Sequence, residues 1–286
     1  MLTSIIKRNP LSSFIILNYL ISWTFLYPCY QIILQAEDDV FPPLALIGLI
    51  GAYGPSIAAL IVTAVLDGKA GVKILLKKVL IWRVHWFWYI FILFMPIILY
   101  GSAVWFSTLF GFQLDSAHPE DGFKAFFYLI LLALPFGPMG EELGWRGYML
   151  PKLLKKMDIW RSSLLLGFVW TLWHLASFTF PGAAIPSVFE VNVWTIFLYF
   201  LYICAETLLL TYVYLKTKGS VLIAILFHAS LNACSNFLLT IFPDIEHNLP
   251  HREIIYIVNF LLLAVVAGVL LCSNRGDTKH NFQNNA

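Results

Sequence analysis

Apolar residues fall in long runs that carry almost no charge and are separated by short polar segments. Eight such runs stand out, near 11–35, 42–66, 86–110, 122–138, 162–180, 192–215, 220–242 and 254–273. Most hold about the 20 apolar residues that an α-helix needs to cross roughly 30 Å of hydrocarbon. The first run is too long for the apolar region of a signal peptide, so we expect it to be retained as a span. The pattern predicts an all-α, polytopic membrane protein of about eight transmembrane helices.

The fourth run is shorter than the others and contains helix-breaking residues. Pro135, Gly137, Pro138 and Gly140 interrupt it. Irregular backbone at membrane depth is tolerated only where it is buried in protein or lines a cavity. We therefore predict that this segment lies inside the bundle.

The segment between the second and third runs is basic. Residues 70–86 interleave lysines with aliphatic residues and tryptophan. This pattern predicts an amphipathic helix on the cytoplasmic surface, and a basic loop next to anionic lipid is an equally good interpretation.

Composition and charge support the membrane assignment and orient the chain. Of the 286 residues, 60% are hydrophobic and 12% are charged, with a mean hydropathy of +0.80. Sixteen of the 18 Lys and Arg residues lie in alternate loops, which places both termini in the cytoplasm by the positive-inside rule. We predict one transmembrane domain over residues 1–272 and a disordered cytoplasmic tail over 273–286. The net charge of +2 argues against nucleic-acid binding.

Three polar groups interrupt the apolar runs. In chain order they are Glu141 and Glu142 with Arg146, Trp170 with His174, and His228 with Asn232. Residues four apart share one helical face, one turn apart. Depth in the bilayer follows from the helical rise of about 1.5 Å per residue. It places Glu141, His174, His228 and Asn232 between the inner boundary and just past the middle of the bilayer. We expect the groups to converge on one site that faces protein or water, since carboxylates are costly in hydrocarbon.

These residue types suit hydrolysis of an amide bond. A carboxylate can act as a general base on water, a histidine can hold that water or donate to an oxyanion, and an asparagine N–H can stabilise a tetrahedral intermediate. A divalent metal, usually zinc for hydrolysis, would be held by Glu141, His174 and His228. A metal-free mechanism is equally compatible with the same residues. The four cysteines form no Cys-x-x-Cys pair, so we predict no thiolate metal site.

Together the three groups resemble the motifs of a known family. E-E-L-G-W-R-G-Y-M-L-P from Glu141, the aromatic-x-x-x-His from Trp170 and the His-x-x-x-Asn from His228 are similar to the motifs of the CPBP intramembrane proteases. This family, also called Abi, includes the type II CAAX prenyl endopeptidases and bacteriocin-processing enzymes. The resemblance covers about residues 123–237. The family often has phenylalanine where Trp170 stands, which is an aromatic replacement.

The resemblance implies an intramembrane endopeptidase that cuts near the cytoplasmic leaflet. The implied site consists of catalytic Glu141, Glu142, His174, His228 and Asn232, with Arg146 and Trp170 as orienting residues. Glu141 would activate a water molecule, and His174 would help to hold that water. His228 and Asn232 would form the oxyanion site. Glu142 would orient the motif together with Arg146.

The resemblance also implies partners and a location. The substrate would be a lipidated or hydrophobic peptide or protein, either a CAAX-type prenyl protein or a bacteriocin-like peptide, next to membrane lipid. The protein would be integral and multi-pass, in the plasma membrane if the source is bacterial.

Two other classes of function stay open. A non-catalytic bacteriocin-immunity or scaffold protein would need the same fold but no hydrolysis. A proton-coupled transporter would also carry intramembrane acids and histidines. Carriers commonly show paired broken helices, whereas only the fourth run is clearly interrupted here.

One acid belongs to none of the three motifs. Glu206 lies inside the sixth apolar run. It would either line the cavity or accept a hydrogen bond from a neighbouring helix, such as that of Thr211.

Overall fold

The described part of the chain is built mainly of α-helices. The computed structural model describes residues 2–36, 42–114, 119–180, 191–242, 245 and 248–273. Over these ranges there is no β-strand, which confirms the predicted all-α fold. The α-helices are α1 (Leu2–Arg8), α2 (Pro10–Leu34), α3 (Gly48–Ala52), α4 (Gly54–Lys77), α5 (Phe87–Ser107), α6 (Pro119–Ala133), α7 (Pro138–Glu142), α8 (Leu150–Leu154), α9 (Ile159–Thr179), α10 (Val193–Lys216), α11 (Val221–Ile241) and α12 (Leu249–Ser273).

The helices follow the apolar runs of the sequence. Within the described residues, four are long and apolar enough to cross a membrane, and six if each of two bent pairs counts as one span. Large side chains such as Ile98, Leu131 and Val265 are 64%, 67% and 63% exposed, as expected for surfaces that face lipid. The protein is therefore an integral, multi-pass membrane protein. The count of eight and the cytoplasmic termini stay predictions.

The predicted C-terminal tail meets the described residues at one position only. Ser273, which we assigned to the tail, is the last residue of α12. The rest of the predicted tail, 274–286, lies outside the described residues.

The predicted break in the fourth run is present, but the prediction that only this run is interrupted is wrong, since Pro43–Ala52 and Gly54–Leu80 meet at 49° within the second run. A 3₁₀ turn over Leu134–Phe136 follows α6, and Gly137 leaves the helical conformation before α7 begins at Pro138. The stretches on the two sides of the break, Lys124–Phe136 and Pro138–Leu154, meet at 44°. Residues 140–150 are all buried, so this segment lies inside the bundle as predicted.

The predicted surface helix over 70–86 is wrong at its end. α4 continues to Lys77 and a 3₁₀ turn covers Lys78–Leu80, but residues 81–86 are not helical. The helix changes direction at Gly68, whose φ of 62° is a left-handed conformation that glycine adopts readily. The amphipathic pattern overestimated the helix because the chain must turn back toward the membrane to enter α5.

Two glycines bring the broken segment close to its neighbours. A Cβ at Gly140 would lie 2.6 Å from the carbonyl oxygen of Ala52, and one at Gly144 would lie 2.5 Å from that of Pro55. Small residues four apart are typical of close helix contacts in membranes. This contact seats the segment against α3 and α4, and its other sides face α9 and α11.

Caps fix the starts of α9 and α10. Asp158 accepts a hydrogen bond from the N–H of Arg161, and Asn192 and Thr195 form a capping box. Such caps pair backbone groups that a helix end leaves free. The two helices pack along each other and carry the second motif and Glu206, respectively.

Candidate active site

Both acids of the first motif are buried at the start of the second half of the broken span. Glu141 is 4% exposed and Glu142 is 0% exposed, and both lie in α7. The backbone after them, Leu143–Met149, is a π-helix. Such i→i+5 turns are rare and are frequent at functional sites. The ammonium of Lys78 donates a 2.7 Å hydrogen bond to the carbonyl oxygen of Gly147, a group within this turn.

Two tryptophans hold one oxygen of Glu141. The indole N–H of Trp170 donates to Oε2 at 2.6 Å, and that of Trp145 donates to the same oxygen at 3.3 Å. Hydrogen bonds to an ionised acceptor are stronger than neutral ones and fix its orientation. The other oxygen, Oε1, lies 3.1 Å from the position that a Cβ would take at Gly137. The carboxylate is therefore held by one oxygen and presents the other toward the helix break.

Glu142 joins the first and third motifs. Its Oε1 accepts hydrogen bonds from Arg146 Nη1 and from His228 Nδ1, each at 2.8 Å. The arginine is fully buried, and its guanidinium lies 4.6 Å from the centre of the Trp170 ring. Unpaired charges are costly in an apolar interior, so the acid and the arginine depend on each other.

The protons on both histidines can be assigned from their partners. His174 Nδ1 lies 3.0 Å from the carbonyl oxygen of Trp170, which only accepts, so this nitrogen carries a proton. His228 Nδ1 likewise donates to the carboxylate of Glu142. In the neutral form of either ring, Nε2 is then the acceptor. The His174 ring is further held by edge contacts to Trp173 and Tyr199, at 4.7 and 5.4 Å between centres.

Asn232 lies at the open edge of the site. Its side chain is exposed, and Nδ2 would lie 3.9 Å from a Cβ placed at Gly137. Glu141 Oε1 lies 3.1 Å from the same Cβ position. The Asn232 amide and the Glu141 carboxylate therefore lie on either side of the space that a side chain at Gly137 would fill. Met139 is 46% exposed on the same break. The site is thus closed around the acids and open at the asparagine.

The metal ligand set does not gather as one group. Among the residues that the structure describes, no three or more His, Cys, Asp or Glu side chains are placed to hold a metal ion. Protein zinc sites in hydrolases use three such ligands. The arrangement of Glu141, His174 and His228 thus does not match a catalytic metal centre, and we derive no step through a metal.

Two comparisons with known proteins bear on this arrangement. Residues 123–234 match the family model described as type II CAAX prenyl endopeptidase Rce1-like. We call these matched residues, 123–234, the Rce1-like core, after the family that they are similar to. Over 131 residues the chain is 32% identical to CAAX prenyl protease 2 of Methanococcus maripaludis, an alignment that covers 46% of this chain and 44% of the relative. The resemblance seen in the three motifs is confirmed, and the match spans less than half of that relative's length.

The Rce1-like core contains every residue proposed for the site from the sequence. Six of them form one contact network in the structure, namely Glu141, Glu142, Arg146, Trp170, His174 and His228. Asn232 borders that network at Gly137. Glu206 is 3% exposed and lies near enough for its charge to interact with His228 and Arg146. Thr211, which we suggested as its partner on a neighbouring helix, lies on the same helix, α10, and its hydroxyl accepts a hydrogen bond from Ser163.

Sequence reasoning missed two residues that support the site. Trp145 stands four positions after Glu141, so helical spacing was a signal that it shares a face with the acid. Lys78 lies outside the Rce1-like core, and nothing in its basic segment distinguishes it from its neighbours.

Proposed function

We propose that the protein is an intramembrane endopeptidase that uses Glu141 as the general base. The observation that carries this proposal is the carboxylate itself, which is buried, is held through Oε2 by two indole N–H groups and presents Oε1 toward the Asn232 amide. A positioned base that is fixed on one side and free on the other can receive a proton from water. The Rce1-like core supports the same activity.

The reaction follows from the donors and acceptors around that oxygen. Glu141 takes a proton from a water molecule, and the water oxygen attacks the carbonyl carbon of the peptide bond. His174 Nε2, an acceptor because Nδ1–H is engaged, accepts the second hydrogen of the water and orients it. The carbon–nitrogen bond then breaks, and the leaving nitrogen takes the proton from Glu141.

The oxyanion that forms after attack requires donors on the other side. The Asn232 amide supplies one at the open edge of the site. His228 donates from Nε2 only as the imidazolium, since its Nδ1–H is already engaged. The carboxylate of Glu142 favours that form, and with it the charges of Glu141, Glu142, Arg146 and His228 cancel.

The substrate that we propose is a peptide with a lipid-modified or apolar segment next to the bond that is cut. The surroundings of the site are lipid-facing helices, and the relative from Methanococcus maripaludis is named a CAAX prenyl protease. A C-terminal peptide with a prenylated cysteine is therefore the first substrate to test, and an unmodified apolar peptide is the second.

A cleavage assay in proteoliposomes tests the function. A quenched peptide is presented with and without a prenyl group, with and without a chelator, and the products are identified by mass spectrometry. Glu141→Gln keeps size and removes the base, so kcat should fall by on the order of 100-fold or more. Asp158→Asn, at an exposed helix cap, is the matched control and should leave kcat unchanged. Equal cleavage by wild type and Glu141→Gln would contradict the proposed mechanism.

A further inference from the structure

A second group of buried polar side chains lies next to the site and outside the three motifs. It is formed where α5, α10 and α12 meet. The hydroxyls of Tyr100 and Tyr202 share a 2.7 Å hydrogen bond, and the Tyr202 ring packs against that of Tyr256, 4.8 Å between centres. Glu206 and Asn259 are 3% and 0% exposed. So many polar groups in a lipid-embedded core require partners.

Their spacing arranges these groups in a continuous stripe. On α10, polar residues recur every three to four positions, at Thr195, Tyr199, Tyr202 and Glu206. On α12 they recur every three, at Glu253, Tyr256 and Asn259. Residues at such intervals share one helix face, and α10 and α12 pack along each other. This polar stripe runs about 16 Å along α10, from Thr195 to Glu206.

Several polar atoms at the inner end of the stripe lack protein partners. Within the described residues, none is found for Glu206 Oε1 or for Arg146 Nε and Nη2. Glu206 and Arg146 interact electrostatically without forming an ion pair. Buried polar atoms are almost always hydrogen-bonded, and ordered water completes those that lack protein partners.

The outer end of the stripe borders a small cavity. It is lined by Thr195, Leu198, Glu253 and Tyr256. It is about the size of one water molecule. Positive-inside orientation predicts that this end of α10 faces away from the cytoplasm.

We propose that the polar stripe holds a chain of ordered water molecules that supplies hydrolysis from the Thr195 end of α10. This inference rests on the proposed function, because each peptide bond that is cut consumes one water. The acids are closed off by protein, and the open edge at Asn232 is where a bound apolar substrate would exclude solvent. The polar stripe would supply water to the site while substrate covers that edge. The waters reach the site between Glu206 and Arg146, whose unpaired atoms provide an acceptor and donors.

The competing explanation is that the stripe only joins α10 to its neighbours α5 and α12. Polar residues do join helices in membranes, but they do so by bonding to one another. Here the Tyr100–Tyr202 pair is such a bond and joins α5 to α10, whereas Glu206 Oε1 is not paired among the described residues. Direct helix joining therefore accounts for Tyr202 and not for Glu206 at the inner end of the stripe.

Radiolytic hydroxyl labelling of the full-length protein in nanodiscs detects the water directly. Aromatic side chains next to bound water are oxidised, and dry ones are not. Tyr202 should be labelled severalfold more than Phe227, a fully buried aromatic residue of α11 that serves as the dry reference. Labelling of Tyr202 at the level of Phe227 would show a dry stripe and would overturn the proposal, whatever the protease activity.

Asn259→Leu tests whether the water is used. It keeps the side-chain size and removes both polar atoms, so Tyr202 labelling and kcat should both fall severalfold while KM stays the same. Asn18→Leu, an equally buried asparagine in α2, is the matched control and should change neither.

The outcomes separate this inference from the proposed function. A labelled stripe in a protein that cuts no peptide would refute the endopeptidase and the supply role, and would leave the water site standing. A labelled stripe with an Asn259→Leu variant that loses the label but keeps wild-type kcat would refute the supply role alone.

Discussion

Replacing Arg146 with methionine should destabilise the protein strongly, because it leaves Glu142 buried without its cation. The guanidinium is fully buried, donates to Glu142 Oε1 at 2.8 Å and lies over the Trp170 ring at 4.6 Å. The unbranched methionine side chain occupies most of the space of the arginine side chain with apolar atoms. The change therefore removes charge and hydrogen bonding while it keeps most of the packing.

The expected magnitude follows from those contacts. Removing one partner of a buried ion pair costs about 3–5 kcal/mol, because the other charge stays in a low-dielectric interior. His228 still donates to Glu142 at 2.8 Å and partly compensates the charge, so we expect the lower end of the range, a loss of about 3 kcal/mol.

A double-mutant cycle distinguishes a lost pair from lost packing. Glu142→Gln with Arg146→Met removes both charges, so its cost should be smaller than the sum of the two single costs. Unfolding in mixed micelles gives the free energy of unfolding for all four proteins. Arg161→Met is the matched control, since its ion pair with Asp158 is exposed and should cost no more than about 1 kcal/mol. Additive single costs, or equal losses for Arg146→Met and Arg161→Met, would refute the reasoning.

Two further changes test the helix break and the segment that supports it. Gly137→Ala puts a methyl group 3.1 Å from Glu141 Oε1, so peptide cleavage should fall by about tenfold while the melting temperature stays near wild type. Gly101→Ala is the control, because its methyl group meets nothing within 4 Å and should leave cleavage unchanged. Equal rates for the two variants would show that the space beside the carboxylate is not used. Lys78→Met removes a charged hydrogen bond to the π-helix and should cost about 1.5–3 kcal/mol in unfolding, while the same change at exposed Lys77 should cost almost nothing. A similar loss for both lysines would point to surface charge and not to that bond.

Contacts within one helix were predictable from the sequence, whereas contacts between helices were not. The spacing of four between Glu142 and Arg146 predicted a shared face, and the structure has them as an ion pair. His228, which shares the same oxygen of Glu142, is 86 positions away, and only the packing of α11 on α7 brings it there. Depth in the membrane indicated that these residues lie in one layer, but it contains no information on which pairs within the layer touch.

The backbone of the first motif also escaped prediction for a physical reason. A π-helix has no pattern of its own in a single sequence, because its extra residue per turn is stabilised by tertiary contacts such as the bond from Lys78 to Gly147. The prediction over residues 70–86 was wrong for the opposite reason, since it placed a helix where the structure has none over residues 81–86. Its alternation of lysine and apolar residues was real, but it did not include the turn that leads into α5.

The residue types of the first motif follow from the three neighbours of its helix. Three consecutive pairs at a spacing of four point in successive directions: Gly140 and Gly144 toward α3 and α4, Glu141 and Trp145 toward α9, and Glu142 and Arg146 toward α11. The glycine pair sets how deeply the helix sits, and both acids reach their partners only at that depth. A methyl group at Gly144 would meet backbone at 2.5 Å and would push the helix away from α4. The glycines therefore matter to the chemistry as much as the acids do, although they contribute no reactive group.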